Sequence, residues 1–214
     1  ESFCCKDSVV KWGGMFSGII QELGEVCFFE AQGNGLSLGI KSTPLFVTPL
    51  VTGDSVAVDG VCLTLTSCNE SKIFFDVIPE TLACTTLGEK RCSDQVNLEA
   101  ALKMGDSIGG HLLSGHVFGT AEIFLIKENR YYFRGSKELS QYLFEKGFIA
   151  IDGISLTLVS VDSDTFSVGL IPETLQRTTL GKKREGERVN IEIDMSTKIQ
   201  VDTVKRILAS SGKD

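Results

Sequence analysis

The sequence predicts an all-β protein built twice: two homologous domains in tandem, each a closed barrel or a sandwich of short strands. Three observations carry this. First, Val58-Asp59-Gly60-Val61-Cys62-Leu63-Thr64-Leu65 returns 93 residues later as Ile151-Asp152-Gly153-Ile154-Ser155-Leu156-Thr157-Leu158. The same interval carries Ile78-Pro79-Glu80-Thr81-Leu82 onto Ile171-Pro172-Glu173-Thr174-Leu175, and Thr85-Thr86-Leu87-Gly88 onto Thr178-Thr179-Leu180-Gly181. It also carries Val96-Asn97-Leu98-Glu99 onto Val189-Asn190-Ile191-Glu192. About half of the ungapped positions from Ser55 to Glu99 match their partners, so the chain is an internal duplication. Second, the repeat is too long for a solenoid unit and fits a small autonomous domain. Third, turn signals are dense and no alternating strand–helix pattern appears, which favours barrel or sandwich over a parallel sheet.

The elements follow in order. Phe16 to Phe29 is rich in β-branched and aromatic residues, and Gly33-Asn34-Gly35 turns the chain. Leu36 to Ile40 alternates as a half-buried strand does. Thr43 and Pro44 set a short helical turn, as cap and first helical residue. Ser55 to Thr66 reads as two strands hinged at Asp59-Gly60, a type I′ hairpin signal. Strands follow at Ile73–Ile78 and Val96–Ala101, and the second copy repeats the plan. Ser136 to Leu143 has helical spacing behind a serine cap. The tail, Ser196 to Ser211, sets Ile199, Val204, Ile207 and Leu208 along one helical face. The expected division is a leader at 1–14, domains at 15–110 and 111–195, and a C-terminal helix and tail at 196–214.

Composition narrows the class. Over 214 residues the net charge is −7, which argues against nucleic acid or an anionic membrane surface as the main partner. No apolar run is long enough for a membrane helix, and the N-terminus does not read as a secretory signal. The seven cysteines are Cys4, Cys5, Cys27, Cys62, Cys68, Cys84 and Cys92. Their number is odd, they form no C-x-x-C pair, and all lie in the first half. A cross-link needed by both domains would recur in both, so free thiols in the cytoplasm are expected.

No P-loop, dinucleotide fingerprint, nucleophile elbow or zinc-protease motif is present. His111 and His116, the only histidines, sit in the glycine-rich junction Gly109-Gly110-His111-Leu112-Leu113-Ser114-Gly115-His116, where glycines let a ligand approach the backbone. Their spacing is a weak metal signal. The Asp-Gly corners can be read as plain hairpin turns, and Pro79 and Pro172 as ends of edge strands. Against a purely structural reading, Ser55, Cys62, Thr64, Thr81, Ser155, Thr157 and Thr174 cluster beside these corners, and Glu80 and Glu173 persist in both copies. Two similar binding sites account for that pattern.

Met15-Phe16-Ser17-Gly18-Ile19-Ile20, the paired D-G and I-P-E-T-L blocks and the histidine junction together resemble riboflavin synthase of the alpha-subunit type, over Met15 to about Leu208. The resemblance implies two six-stranded antiparallel Greek-key barrels, a C-terminal helix and a homotrimer whose working site pairs the N-half of one subunit with the C-half of another. It implies dismutation of two 6,7-dimethyl-8-ribityllumazine molecules by transfer of a four-carbon unit, giving riboflavin and 5-amino-6-ribitylamino-pyrimidinedione. No metal or redox cofactor is implied. Association with lumazine synthase occurs in some members of the family.

Carried over by motif, the first half-site would use Gly18, Ile19, Ile20, Cys62, Leu63 and Thr64, with Asp76, Val77, Ile78, Pro79, Glu80 and Thr81. The second would use Gly115, His116, Val117, Lys146, Ser155, Leu156 and Thr157, with Gly169, Leu170, Ile171, Pro172, Glu173 and Thr174. Backbone amides and carbonyls can read the urea-like edge of the pteridine, and hydroxyls and carboxylates the ribityl chain. The resemblance assigns chemistry to Ser55, Cys62, His116, Asp152 and Ser155, with His111 and Phe16 shaping the site. His116 or a hydroxyl–histidine relay would serve as base. Ser55 and Cys62 become Phe148 and Ser155 in the second copy, an asymmetry suited to one donor and one acceptor. The rival reading is a non-enzymatic lumazine-binding antenna protein. Such proteins tend to lose the motif in one half, whereas here both halves keep it.

Overall fold

The computed structural model describes residues 14–211, and its twelve strands close into two barrels. The expected leader, Gly14 apart, lies outside the described residues. The first barrel uses β1 (Glu22–Gln32), β2 (Gly35–Lys41), β3 (Ser55–Val58), β4 (Val61–Asn69), β5 (Lys72–Val77) and β6 (Gln95–Ala100), in the closed order β1-β2-β5-β4-β3-β6. The second uses β7 (Gly119–Lys127), β8 (Arg130–Arg134), β9 (Phe148–Ile151), β10 (Ile154–Val161), β11 (Thr165–Gly169) and β12 (Arg188–Ile193), closed in the same Greek-key order. All neighbours are antiparallel, so no strand edge is left open.

Period-two alternation sends one side of each strand inward. Val56, Val58, Leu63, Leu65, Phe75 and Val77 fill one barrel, and Ile149, Ile151, Leu156, Leu158, Phe166 and Val168 the other. Each such side chain contributes roughly 1.5–3 kcal/mol when fully buried. The duplication extends to irregularities. Bulges fall between Val26 and Phe28 and between Leu65 and Ser67, and again at Ile123/Leu125 and Leu158/Ser160.

Thr43 caps α1 (Pro44–Val47) and Ser136 caps α3 (Lys137–Ser140). Pro79 and Pro172 do not end edge strands. They open α2 (Pro79–Cys84) and α4 (Pro172–Arg177), at the first helical position, where the fixed φ suits the turn and no N–H is needed. The strand expected from Phe16 begins only at Glu22. Gly18, at φ 74°, breaks the run, and Phe16 instead makes an isolated bridge to Leu113.

The barrels meet corner to corner. Asp59-Gly60 and Asp152-Gly153 have left-handed φ values of 44°, 78°, 47° and 79°, as a type I′ turn requires. A Cβ added at Gly60 would lie 2.5 Å from the amide nitrogen of Gly153. Asparagines from the final strands tie the corners reciprocally. Asn97 Nδ2 donates to the Asp152 carbonyl and Asn190 Nδ2 to the Asp59 carbonyl, each at 2.9 Å. Their Oδ1 atoms accept from Thr179 N and Thr86 N, each at 2.8 Å. The last helix, α5 (Met195–Ser211), leaves Ile199, Val204, Ile207 and Leu208 exposed.

Candidate active site

Two segments leading into the barrels build the site by crossing over. Residues 16–20 and 113–117 run antiparallel, with Phe16 and Leu113 exchanging backbone hydrogen bonds of 2.9 Å. Each segment is clamped by a buried glutamate from its own barrel. Glu99 accepts from Ser17 N (2.6 Å), Ser17 Oγ (2.7 Å) and Gly18 N (3.0 Å). Glu192 accepts from Ser114 N (2.7 Å), Ser114 Oγ (2.8 Å) and Gly115 N (3.0 Å). Burial pushes both carboxyls above the usual glutamate value, against the pull of those hydrogen bonds.

Each clamped glycine then docks on the other barrel. The Gly18 carbonyl accepts from Ser155 N and the Gly115 carbonyl from Cys62 N, both at 2.9 Å. Both glycines have φ 74°, and a Cβ would fall 2.6 Å from Ser155 Cβ at position 18 and 2.5 Å from Cys62 Cβ at position 115. Only glycine satisfies the conformation and the approach together. Ile20 accordingly joins the second barrel's core, and Val117 packs on the first. The grouping expected from the sequence is therefore exchanged: Gly18-Ile19-Ile20 belong with Ser155, and Gly115-His116-Val117 with Cys62.

Two polar clusters result, related by the duplication and chemically different. In the first, a Cβ added at Gly14 would meet Ser55 Oγ at 2.9 Å and Cys62 Sγ at 3.3 Å, so the hydroxyl and the thiol gather around it. Burial raises the Cys62 thiol, and the Glu192 charge adds to this while the nearby Ser55 hydroxyl opposes it, so the sulfur is a thiol at neutral pH. In the second, His111 Nδ1 lies 2.6 Å from Ser155 Oγ, and the imidazole stacks on Phe148 at a centroid distance of 5.1 Å. His111 Nε2 is buried with no partner among the described residues. Burial lowers the His111 pKa, with the Asp194 carboxylate opposing, so the ring is a neutral acceptor or donor poised on a hydroxyl.

The remaining expected site residues differ in exposure. Thr64, Asp76, Ile78, Pro79 and Glu80 are exposed in the first half, and Thr157, Gly169, Ile171, Pro172 and Glu173 in the second, with Thr81 and Thr174 half-buried. Leu63, Val77, Leu156 and Leu170 turn their side chains into the barrels and can offer a ligand only backbone. Lys146 is exposed at φ 66°, where the first copy has Gly53 at φ 88°. His116 and Ile19 are exposed as well.

Two of the expected site residues are deeply buried. Asp152 does not face Ser155. It is wholly buried at the barrel junction, its Oδ1 accepting from Asn190 N at 2.7 Å and its Oδ2 3.7 Å from Lys183. Burial first, and then the nearby Asp59 charge, push it up to about 7 against Lys183 and Lys90. The equivalent Asp59 pairs with Lys90 at 2.6 Å. Phe16 is likewise buried between the barrels, among Ala57, Leu113 and Ala150. Cys62 packs against the Phe16 cluster. Conversely, Glu99 and Glu192 were not singled out as site residues, although the repeated Val-Asn-x-Glu block was their signal.

Comparison with known proteins agrees with this geometry. The lumazine binding domain family matches residues 17–101 and again 114–194. The fold and the paired sites thus define a tandem lumazine-binding-domain protein. Riboflavin synthase of Chlamydia muridarum is 49% identical over 195 residues, covering 91% of this chain and 98% of that one. The Escherichia coli K12 riboflavin synthase is 46% identical over 201 residues, covering 92% and 94%. Among solved structures, LumP complexed with riboflavin superposes with a TM-score of 0.76 at 25% identity, covering 84% of this chain and 99% of that one. The chain belongs to the riboflavin synthase family.

Proposed function

We infer that this chain is a riboflavin synthase, a transferase of riboflavin biosynthesis that converts two molecules of 6,7-dimethyl-8-ribityllumazine into riboflavin and 5-amino-6-ribitylamino-pyrimidinedione. One observation carries the reading: the duplication yields two complete polar clusters under equivalent backbone frames, yet with different functional groups. Two identical substrates that play different parts need that arrangement. The antenna alternative is disfavoured, because both halves are intact and identity to the enzymes exceeds that to LumP.

In the mechanism we propose, the second half-site holds one lumazine with its C7 methyl toward Ser155. The Ser155 hydroxyl and His111 imidazole relay the proton lost from that methyl. The first half-site holds the other lumazine beside Ser55 and Cys62, which lie where a nucleophile would add at C7. The backbone of Leu63, Leu156 and Leu170 reads the ring edges. Holding two rings at reacting distance removes much of the entropic barrier. His116 and Lys146, both exposed, are assigned to the rim.

Homotrimer assembly extends the same reading and is supported by the uncovered apolar residues of α5. A cytoplasmic location is supported by five described cysteines that are free thiols. Docking to lumazine synthase is proposed from the family resemblance alone, and co-sedimentation tests it. The function itself is tested by mixing purified protein with the lumazine, without metal or cofactor, and separating products by chromatography. One riboflavin formed per two lumazines consumed is expected. Binding without turnover would return the chain to the antenna class.

A further inference from the structure

Each half-site continues outward as a row of three residues across adjacent strands. In the first barrel Asp76 pairs with Ser37, and the Leu65–Phe75 register sets Thr64 on its other side. In the second, Gly169 pairs with Arg130, and the Leu158–Val168 register sets Thr157 beside it. The flanking Leu65, Phe75, Val77, Tyr131, Leu158 and Val168 are buried in the barrels, so both rows face outward. The first row reads hydroxyl, carboxylate, hydroxyl. The second reads hydroxyl, open space, guanidinium. The first row carries its charge on the central strand, a carboxylate where the second has Gly169, and the second carries a guanidinium where the first has Ser37.

Arg130 is held in place. Its Nε and Nη2 donate to Ser167 Oγ at 3.2 and 3.1 Å, and Nη2 donates to Ser160 Oγ at 3.2 Å. The two serine hydroxyls are 2.6 Å apart, Ser167 is wholly buried, and the Tyr132 ring lies 5.3 Å from Cζ. These partners are all neutral, and no ion pair among the described residues includes Arg130. The first barrel has Phe74 in place of Ser167, in edge contact with Phe28. Two hydroxyls in the second barrel thus orient a guanidinium that has no ion-pair partner among the described residues.

We propose that the second half-site accepts ribityl ligands whose chain ends in a phosphate monoester, with Arg130 as the phosphate-binding residue, and that the first half-site, with Ser37 at that place and the Asp76 carboxylate beside it, does not. This rests on the lumazine-binding reading above. Thr157 and Arg130 stand two strands apart, roughly 10 Å, within reach of an extended five-carbon polyol carrying a phosphate. Gly169 leaves the path between them clear, the nearest atom to an added Cβ being Val159 Cγ2 at 4.0 Å. With Nε and Nη2 committed to the serines, Nη1 is the group left to meet the phosphate oxygens, on a guanidinium whose direction those bonds fix as they would not fix a lysine ammonium. Flavin mononucleotide, the phosphorylated form of the product, would then compete with lumazine at one half-site of two.

The test is a titration of the full chain with riboflavin, flavin mononucleotide and inorganic phosphate, for wild type, Arg130→Gln and Arg130→Lys, with the ³¹P resonance followed. Flavin mononucleotide should bind about tenfold tighter than riboflavin at one site, and the advantage should shrink with salt. Arg130→Gln should abolish that advantage, and Arg130→Lys should keep part of it, each with riboflavin still bound. Equal affinity for both flavins in wild type, or an advantage that survives in Arg130→Gln, overturns the proposal. So does inorganic phosphate alone reproducing the ³¹P shift, which would mark a general anion site. If riboflavin itself does not bind, the lumazine-binding reading falls and takes this one with it.

Discussion

His111 Nδ1 lies 2.6 Å from Ser155 Oγ, while the position equivalent to His111 in the first half is Gly14, set against Ser55 and Cys62. The two half-sites share a backbone and divide the chemistry: a histidine–hydroxyl pair on one side, a hydroxyl–thiol pair on the other.

Replacing His111 by Gln should therefore lower kcat about 100-fold, the usual contribution of a positioned base, with a smaller effect on KM. Burial lowers the His111 pKa, so the neutral ring persists below the ordinary histidine range. The acid limb of wild-type kcat should accordingly fall below pH 6.5, the unperturbed value, and should vanish in the variant. Steady-state profiles across that range decide the matter, and an unmoved acid limb in the variant would remove His111 from the chemistry.

Gly115→Ala puts a Cβ 2.5 Å from Cys62 Cβ on a backbone at φ 74°. Left-handed strain and overpacking together should cost about 2–4 kcal/mol, read as a lower urea midpoint. The same change at Gly119, which has open space around it, should cost much less.

Glu192→Gln retains the shape of the clamp but exchanges charge-assisted hydrogen bonds for neutral ones. The amides of Ser114 and Gly115 should exchange with deuterium about 10-fold faster or more. Hydrogen-exchange mass spectrometry of this segment checks it, and exchange at the wild-type rate would deny Glu192 its positioning role.

Asp152 predicts a sign. Its pKa is raised from 3.8 to about 7 in the fold, so in that interval the folded chain keeps a proton that the unfolded chain has lost. Stability from this group is full below the lower value and declines as pH rises toward the upper one. Asp152→Asn retains an acceptor for the Asn190 amide and removes the titration. The loss of stability between pH 5 and 7, on the order of 1 kcal/mol per pH unit, should flatten in the variant. Urea melts at both pH values measure it, and an unchanged slope would refute the account of the junction.

The barrels were legible because their signals are local. Alternation, the Asp59-Gly60 corner, the Thr43 and Ser136 caps and the repeat interval each occupy a few adjacent residues. The two lumazine binding domains were legible as motifs. What the sequence did not reveal is which barrel each motif serves. Gly18 sits beside its own barrel in sequence and docks on Ser155 of the other, a placement decided by the crossing of residues 16–20 and 113–117. The resemblance put the base at His116 and left His111 to shape the site; the proposed mechanism exchanges them, because His111 is buried against Ser155 while His116 is exposed. The resemblance assigned chemistry to Asp152. The type I′ corner instead turns it back into the barrel junction, where Asn190 and Lys183 meet it.

The central claim is that each half of the chain holds one lumazine. Equilibrium dialysis with a ribityllumazine analogue lacking the C7 methyl, which cannot surrender a proton there, tests this directly. Two analogues bound per chain in the assembled protein is the predicted result. One per chain, with the second barrel's cluster left empty, would contradict it.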